Sequence, residues 1–183
     1  RILEDIMSRS GSVDAVVLDM PGGALDELNE LSRRGAAEIY RDLAEAGYAP
    51  TTVLALTPML ASAKAAKRLA DSLTGVTDWV VAKNLDAADE TQDFERFYGQ
   101  GKARMQIHQA GGIEILAPAL AKRVYAELDA QSLPASTAMA AETSPLSRRD
   151  RKHVSEWVEE VDEQLDLAAS HLGLTPQTNR QAA

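Results

Sequence analysis

Cysteine is absent from this 183-residue chain, which excludes a disulfide framework and a thiolate zinc site. Aromatic residues make up only 4% of the chain, while hydrophobic residues as a whole reach 45%, many of them alanine. The core must therefore be helix-rich and packed by small and aliphatic side chains. Histidine is nearly absent too: His108, His153 and His171 are scattered without metal-ligand spacing. No apolar run approaches the length of a membrane span, and no secretory signal is visible, so the expected location is the cytoplasm. Basic charge is in deficit, with a net charge of −9. Nonspecific nucleic-acid binding draws on Lys and Arg, so direct DNA binding is not expected. No G-x-x-x-x-G-K-[ST] phosphate loop occurs, and no G-x-G-x-x-G follows an expected strand; Gly99-Gln100-Gly101 has the wrong context for a Rossmann enzyme. No serine on a strand-to-helix elbow comes with a nearby histidine, which removes the Ser/His/Asp hydrolases.

Against these absences stands one feature near the start. VDAVVLDMPGG, at residues 13–23, is an apolar run that ends in Asp19 and passes at once into Pro21-Gly22-Gly23. A buried parallel strand delivers a carboxylate to a ligand site in this way. Only twelve residues precede Val13, and the chain opens with Arg1. The expectation is an NTPase-type domain with its front missing or its nucleotide chemistry lost.

Four strands are expected: residues 13–19, 52–57 (TVLALT), 79–83 (WVVAK) and 113–116 (IEIL). The first two lack polar alternation, as strands covered on both faces do. The stretches between them are long enough for crossover helices. Residues 24–47 carry leucines and isoleucine at helical spacing, with Gly35 dividing them into two helices. Residues 59–73 form an amphipathic stripe, and Gly75 stands just past its end. Residues 89–107 are charged and less regular, and residues 117–128 are alanine-rich and helical.

Residues 131–146, rich in Ala, Ser and Thr with Pro134 and Pro145, read as a linker. A final helix over residues 147–173 starts at Ser147, an N-cap with Asp150 three residues on. Its Val154, Val158, Val161, Leu165, Ala168 and Leu172 form a heptad-like seam beside Trp157, and packing back on its own sheet is the expected use. Residues 174–183 form a disordered tail after the stop signal Gly173-Leu174 and Pro176. The fold class is α/β: a mostly parallel sheet over residues 1–130, helices on both faces, and a C-terminal helix.

Open parallel sheets bind ligands outside the carboxyl ends of their strands. Those ends are Asp19 with Pro21-Gly22-Gly23, Thr57-Pro58, Lys83-Asn84-Leu85-Asp86, and Ala117-Pro118. Asp19 suits Mg²⁺, held directly or through water, since magnesium takes few carboxylates plus phosphate oxygens and water. Gly22 and Gly23 would let backbone N–H groups approach a terminal phosphate. The alternative is an ordinary turn whose aspartate satisfies backbone donors. Asn84 can read a purine edge, because its amide both donates and accepts; otherwise it is a turn residue. Asp86 and Asp89 read as solvated loop charges. The basic run Arg148-Arg149-Asp150-Arg151-Lys152-His153 reads as a solvated helix face, and Trp157 as packing.

VDAVVLDMPGG resembles the second acidic motif of the ParA/MinD group of deviant P-loop ATPases. TVLALTP resembles that group's next strand, WVVAKNLD the strand that ends in its base-recognising Asn, and IEILAPAL the later strand that runs into a proline-containing loop by the base. FERFYGQGKAR followed by IEILAPAL looks most like the StbB/TraL-type proteins of plasmid stability and conjugal transfer. The resemblance covers residues 13–128 and implies an incomplete P-loop NTPase-like fold. It implies ATP and Mg²⁺ as cofactors, Asp19 as the catalytic and Mg²⁺-supporting carboxylate, and Pro21, Gly22, Gly23, Asn84 and Pro118 as cofactor-binding residues. It implies a homodimer and protein partners of a plasmid transfer, mobilisation or partition system. The family's lysine-bearing phosphate loop and first acidic switch match nothing in residues 1–183, so this polypeptide is expected not to hydrolyse ATP. The competing expectation is a non-enzymatic α/β interaction module that binds a partner through Val158 and Leu165 of the final helix.

Overall fold

The computed structural model describes residues 2–9, 11–21, 23–32, 34–88, 90–140 and 144–174. Three strands form one parallel sheet in the order β1 (Thr51–Leu56), β2 (Asp78–Asn84), β3 (Ile113–Ala117). The register pairs Leu54 with Val81 and Ala82 with Ile115. The α/β class with a parallel sheet and a C-terminal helix is as expected. Among the described residues no helix is long and apolar enough to cross a membrane.

Side chains alternate across the sheet, and each face meets a different partner. Leu54, Leu56, Trp79 and Val81 point into the main core. Helix α4 (Leu60–Leu73) lays Ala63, Ala66, Ala70 and Leu73 on that face, at steps of three and four. Small side chains let α4 sit close to the strands, which is the use the sequence makes of its alanines. Helix α5 (Lys102–Gln109) adds Ala103 and Ile107 beside it. Between β2 and α5 run two 3₁₀ turns, Leu85–Ala87 and Thr91–Arg96, the second of which buries Phe94. Gly112 is compact for a packing reason: a Cβ there would stand 2.6 Å from the Trp79 Cβ and 2.9 Å from the Ile107 carbonyl oxygen.

Val80 and Ile115 point to the opposite face, against Ala168 and Leu172. Helices α8 (Arg148–Leu167) and α9 (Ala169–Leu172) cover it. The Gln164 side chain accepts from the Leu116 N–H at 2.8 Å, which supplies a backbone partner along β3. The expected N-cap is present: Ser147 Oγ accepts from the Asp150 N–H at 3.2 Å. Asp150 is buried and paired with Arg123 of α6 (Lys122–Ala130). The guanidinium first, then the Ser147 hydroxyl, hold the Asp150 carboxyl below its ordinary range. The seam of α8 packs on its own chain, with Val154 fully buried and Val158 against a second, smaller core.

That smaller core changes the reading of residues 131–146. The stretch expected as a linker contains α7 (Ala135–Met139), whose Ala138 is fully buried with Val124, Leu146 and Val154. A residue as small as alanine contributes here because α8 lies directly over it. The tail expected from residue 174 falls, beyond Leu174, outside the described residues.

Before the sheet come α1 (Ile2–Ser8), α2 (Ala24–Leu31) and α3 (Ala36–Glu45). Gly35 separates α2 from α3 as expected, at φ 87° and ψ 172°, a conformation that side chains disfavour. Asn29 of α2 then accepts from the Ala36 N–H at 2.8 Å, which caps α3 from its neighbour.

The expected strand at residues 13–19 is not formed. Residues 13–21 have no regular structure and are exposed throughout, with Val17 at 92%. A strand needs a neighbour to take its backbone N–H and C=O groups. None of β1, β2 or β3 pairs with this segment, so apolar character alone does not make it a strand.

Candidate functional site: the carboxyl edge of the sheet

Parallel pairing places the ends of β1, β2 and β3 on one edge. Thr57-Pro58, Asn84 and Ala117-Pro118 therefore lie on the same side of the molecule, as the order of strands requires. Asn84 is the last residue of β2, and its side-chain oxygen accepts from the Asp86 N–H at 3.0 Å. That bond starts the 3₁₀ turn Leu85–Ala87 and fixes the amide, leaving its NH₂ group to donate. Pro118 is half-buried, and its carbonyl accepts from Trp157 Nε1 at 2.9 Å, so α8 clamps the end of β3. Trp157 packs, as expected.

A cleft of about 440 Å³ opens at this edge. It is lined by Pro58 and Met59 after β1, Asp86 and Ala88 after β2, and Arg96 and Phe97 at the end of the second 3₁₀ turn. The Arg96 guanidinium lies 4.9 Å from the centre of the Phe97 ring. In the sequence this pair is an Arg-Phe step inside FERFYGQGKAR, with nothing local to mark it as stacked. The larger cleft of about 760 Å³ lies at the opposite, amino edge, near Pro50, Thr77 and Asp78.

Asp19 and Pro21 lie on the exposed stretch before α2 and do not end a strand. Gly23 directly precedes α2 with φ 98°, a left-handed conformation suited to glycine. Gly22 and Asp89 lie outside the described residues. Asp86 is exposed, as read. In the basic run of α8, Arg148, Arg149 and Lys152 are exposed and Lys152 pairs with Glu156 at 3.2 Å, whereas Asp150 is buried. Among the described residues, no three His, Asp or Glu side chains converge on a common point.

The strongest electrostatic feature was not legible from spacing. Glu114 stands in the middle of β3, 12% exposed, on the face of the main core. It meets Lys83 Nζ at 2.7 Å, Arg104 Nε at 2.7 Å and His108 Nε2 at 2.8 Å. Burial alone would raise its pKa. The hydrogen bonds from Arg104, Lys83 and His108 outweigh that and hold it at about 2, against an ordinary 4.5. Nearby, Tyr98 is buried, and burial first, then the Glu114 charge beside it, pushes the pKa of its hydroxyl up. A charge inside IEIL was the available signal, since a buried carboxylate must be paired.

The cleft has the stacked Arg96 and Phe97 on its wall, while Asn84 and Pro118 stand on the same edge of the sheet outside its lining. Compared with known proteins, the chain matches no family model, no curated protein and no solved structure.

Proposed function

We infer that the chain is the base-binding part of a ParA/MinD-like nucleotide switch acting in plasmid conjugal transfer, mobilisation or stability. The observation that carries this reading is the parallel sheet β1-β2-β3, whose ends gather Thr57-Pro58, Asn84 and Ala117-Pro118 on one edge beside a cleft. Asn84 contacts adenine through its free NH₂ group, and Pro118 borders the base. Asp19 supports Mg²⁺ near the terminal phosphate, with Pro21, Gly22 and Gly23 forming the turn that senses it. ATP with Mg²⁺ is the cofactor, and a homodimer and plasmid-system proteins are the partners. Residues 1–183 contain no phosphate loop and do not hydrolyse ATP unaided.

Equilibrium binding of a fluorescent ATP analogue, with and without Mg²⁺, tests the reading. Adenine nucleotides should bind in preference to guanine nucleotides. Asn84→Ala should weaken binding about tenfold, the loss of one good hydrogen bond. Asp19→Ala should abolish the Mg²⁺ dependence without unfolding the chain. No adenine-nucleotide binding at about 1 mM, a very weak affinity for such a site, would overturn it.

A further inference from the structure

Helix α8 carries its charges in the wrong order for its own dipole. Residues 148–152 hold four bases, residues 156–166 hold six acids, and the last turn has no basic residue. The partial positive charge at a helix N-terminus favours acids, and the C-terminus favours bases, so both ends are disfavoured. Asp150, the acid of the first turn, is buried and committed to Arg123 and Ser147. A local rule broken at both ends of one helix points to a gain made elsewhere.

The exposed side of α8 shows where that gain lies. Val154 and Trp157 turn towards the chain, as does Gln164, which bonds to β3. Arg149, Lys152, Glu156, Glu160, Glu163 and Leu167 follow one another at steps of three and four, so they share one face, and all of them are exposed. Lys152 pairs with Glu156 of its own helix at 3.2 Å. Arg149, Glu160 and Glu163 take part in no ion pair among the described residues. Turned end for end about Glu156, this stripe falls on itself with opposite charge. Position 149 comes level with 163, and 152 with 160. Leu167, 66% exposed, comes level with the exposed Pro145.

We propose that α8 pairs with α8 of a second copy, antiparallel, about a two-fold axis at Glu156. Arg149 then meets the partner's Glu163, Lys152 meets the partner's Glu160, and each pair occurs twice, as a two-fold contact requires. Leu167 packs on the partner's Pro145 at both ends. The span from Arg149 to Glu163 is about 21 Å, at 1.5 Å per residue. The partner's acids stand at the disfavoured N-terminus and its bases at the C-terminus, and the two dipoles run in opposite directions. At physiological ionic strength charge is screened beyond about 8 Å, so the net charge of −9 on each copy weighs little against pairs in contact. This contact gives a surface to the homodimer proposed above, and it needs no nucleotide.

A charge swap tests it, with sedimentation velocity at physiological ionic strength and no nucleotide present. The parent chain should show a concentration-dependent dimer. Arg149→Glu with Lys152→Glu makes the stripe acidic throughout, and Glu160→Lys with Glu163→Lys makes all but Glu156 basic. Each double variant alone should dimerise at least about tenfold more weakly than the parent, a shift well above measurement error. Mixed in equal amounts, the two should form a heterodimer at least as tight as the parent dimer. Circular dichroism should show the parent's helix content in both, since every exchanged side chain is exposed. Should either lose helix, Arg149→Gln and Glu163→Gln take their place, and each should weaken the parent dimer severalfold. A parent that stays monomeric up to about 1 mM would overturn the proposal. So would a dimer indifferent to the substitutions, or a mixture of folded variants that stays monomeric. None of these outcomes bears on nucleotide binding, which a monomer can show.

Discussion

Residues 13–19 and strand β2 are close relatives as strings. VDAVVLD and DWVVAKN each carry a central Val-Val pair and an aspartate at one end. Their fates differ completely: Val80 and Val81 have no exposure at all, while Val17 is almost fully solvated. Composition does not separate them; position does. Strand β2 lies between β1 and β3 and under helices on both faces, so its backbone and both rows of side chains find partners. Residues 13–19 have no adjoining strand. Strand propensity reports how well a side chain fits a surface provided by others, and here that surface is present for one segment and absent for its twin.

The sharpest way to break the favoured member is to remove its largest side chain. Trp79 is fully buried against Gly112 and the main core. Trp79→Ala should cost about 3–5 kcal/mol, because the closely packed surroundings cannot fill the cavity. Urea unfolding followed by circular dichroism measures it. A loss below about 1 kcal/mol would mean that β2 is not sandwiched as described.

The next largest effect lies in the charges that brace β2 to β3. Glu114 holds its pKa near 2 against the ordinary 4.5 through Arg104, Lys83 and His108. A carboxyl lowered on folding stabilises the folded form fully above its unfolded value. That contribution fades as pH falls from about 4.5 towards 2. Glu114→Gln should cost about 3 kcal/mol at neutral pH, since it leaves Lys83, itself only 12% exposed, without its counter-charge. The variant should also lose less stability than the parent across that acid window. Equal slopes of stability against pH in the two proteins would show that the carboxyl is not depressed.

What could be read in the sequence follows the same division. Strands β1, β2 and β3 were legible because their apolar runs are bounded by turns and interleaved with helices. Local signals carried the helix boundaries: Gly35 between α2 and α3, and Ser147 with Asp150 at the start of α8. Features set by distant partners were not legible. Ala138 becomes core only because α8 crosses it, so α7 lay hidden in what read as a linker. Lys83 and Glu114 belong to different strands, and only the register of β2 on β3 brings them within 2.7 Å. At the candidate site, Asn84 was legible as a turn residue, and its oxygen caps the 3₁₀ turn that follows β2. Asp19 was read from a strand whose formation depends on a neighbour that local sequence cannot supply.

The smallest effect uses one exchange at both members of the pair. Valine and threonine have nearly the same shape, so Val→Thr replaces a methyl group by a hydroxyl and little else. At Val81 the hydroxyl enters the main core beside Leu54, its partner in β1, and should cost about 1–3 kcal/mol as a buried group short of partners. At Val17 the hydroxyl faces water, and the change should stay within about 0.5 kcal/mol. The two variants differ only in what surrounds the same atoms, so the gap between them measures environment alone. A cost above about 1 kcal/mol at Val17, beyond the range for an exposed site, would mean that its side chain is buried in solution. Residues 13–19 would then be covered in solution, and the contrast between the twins would shrink accordingly.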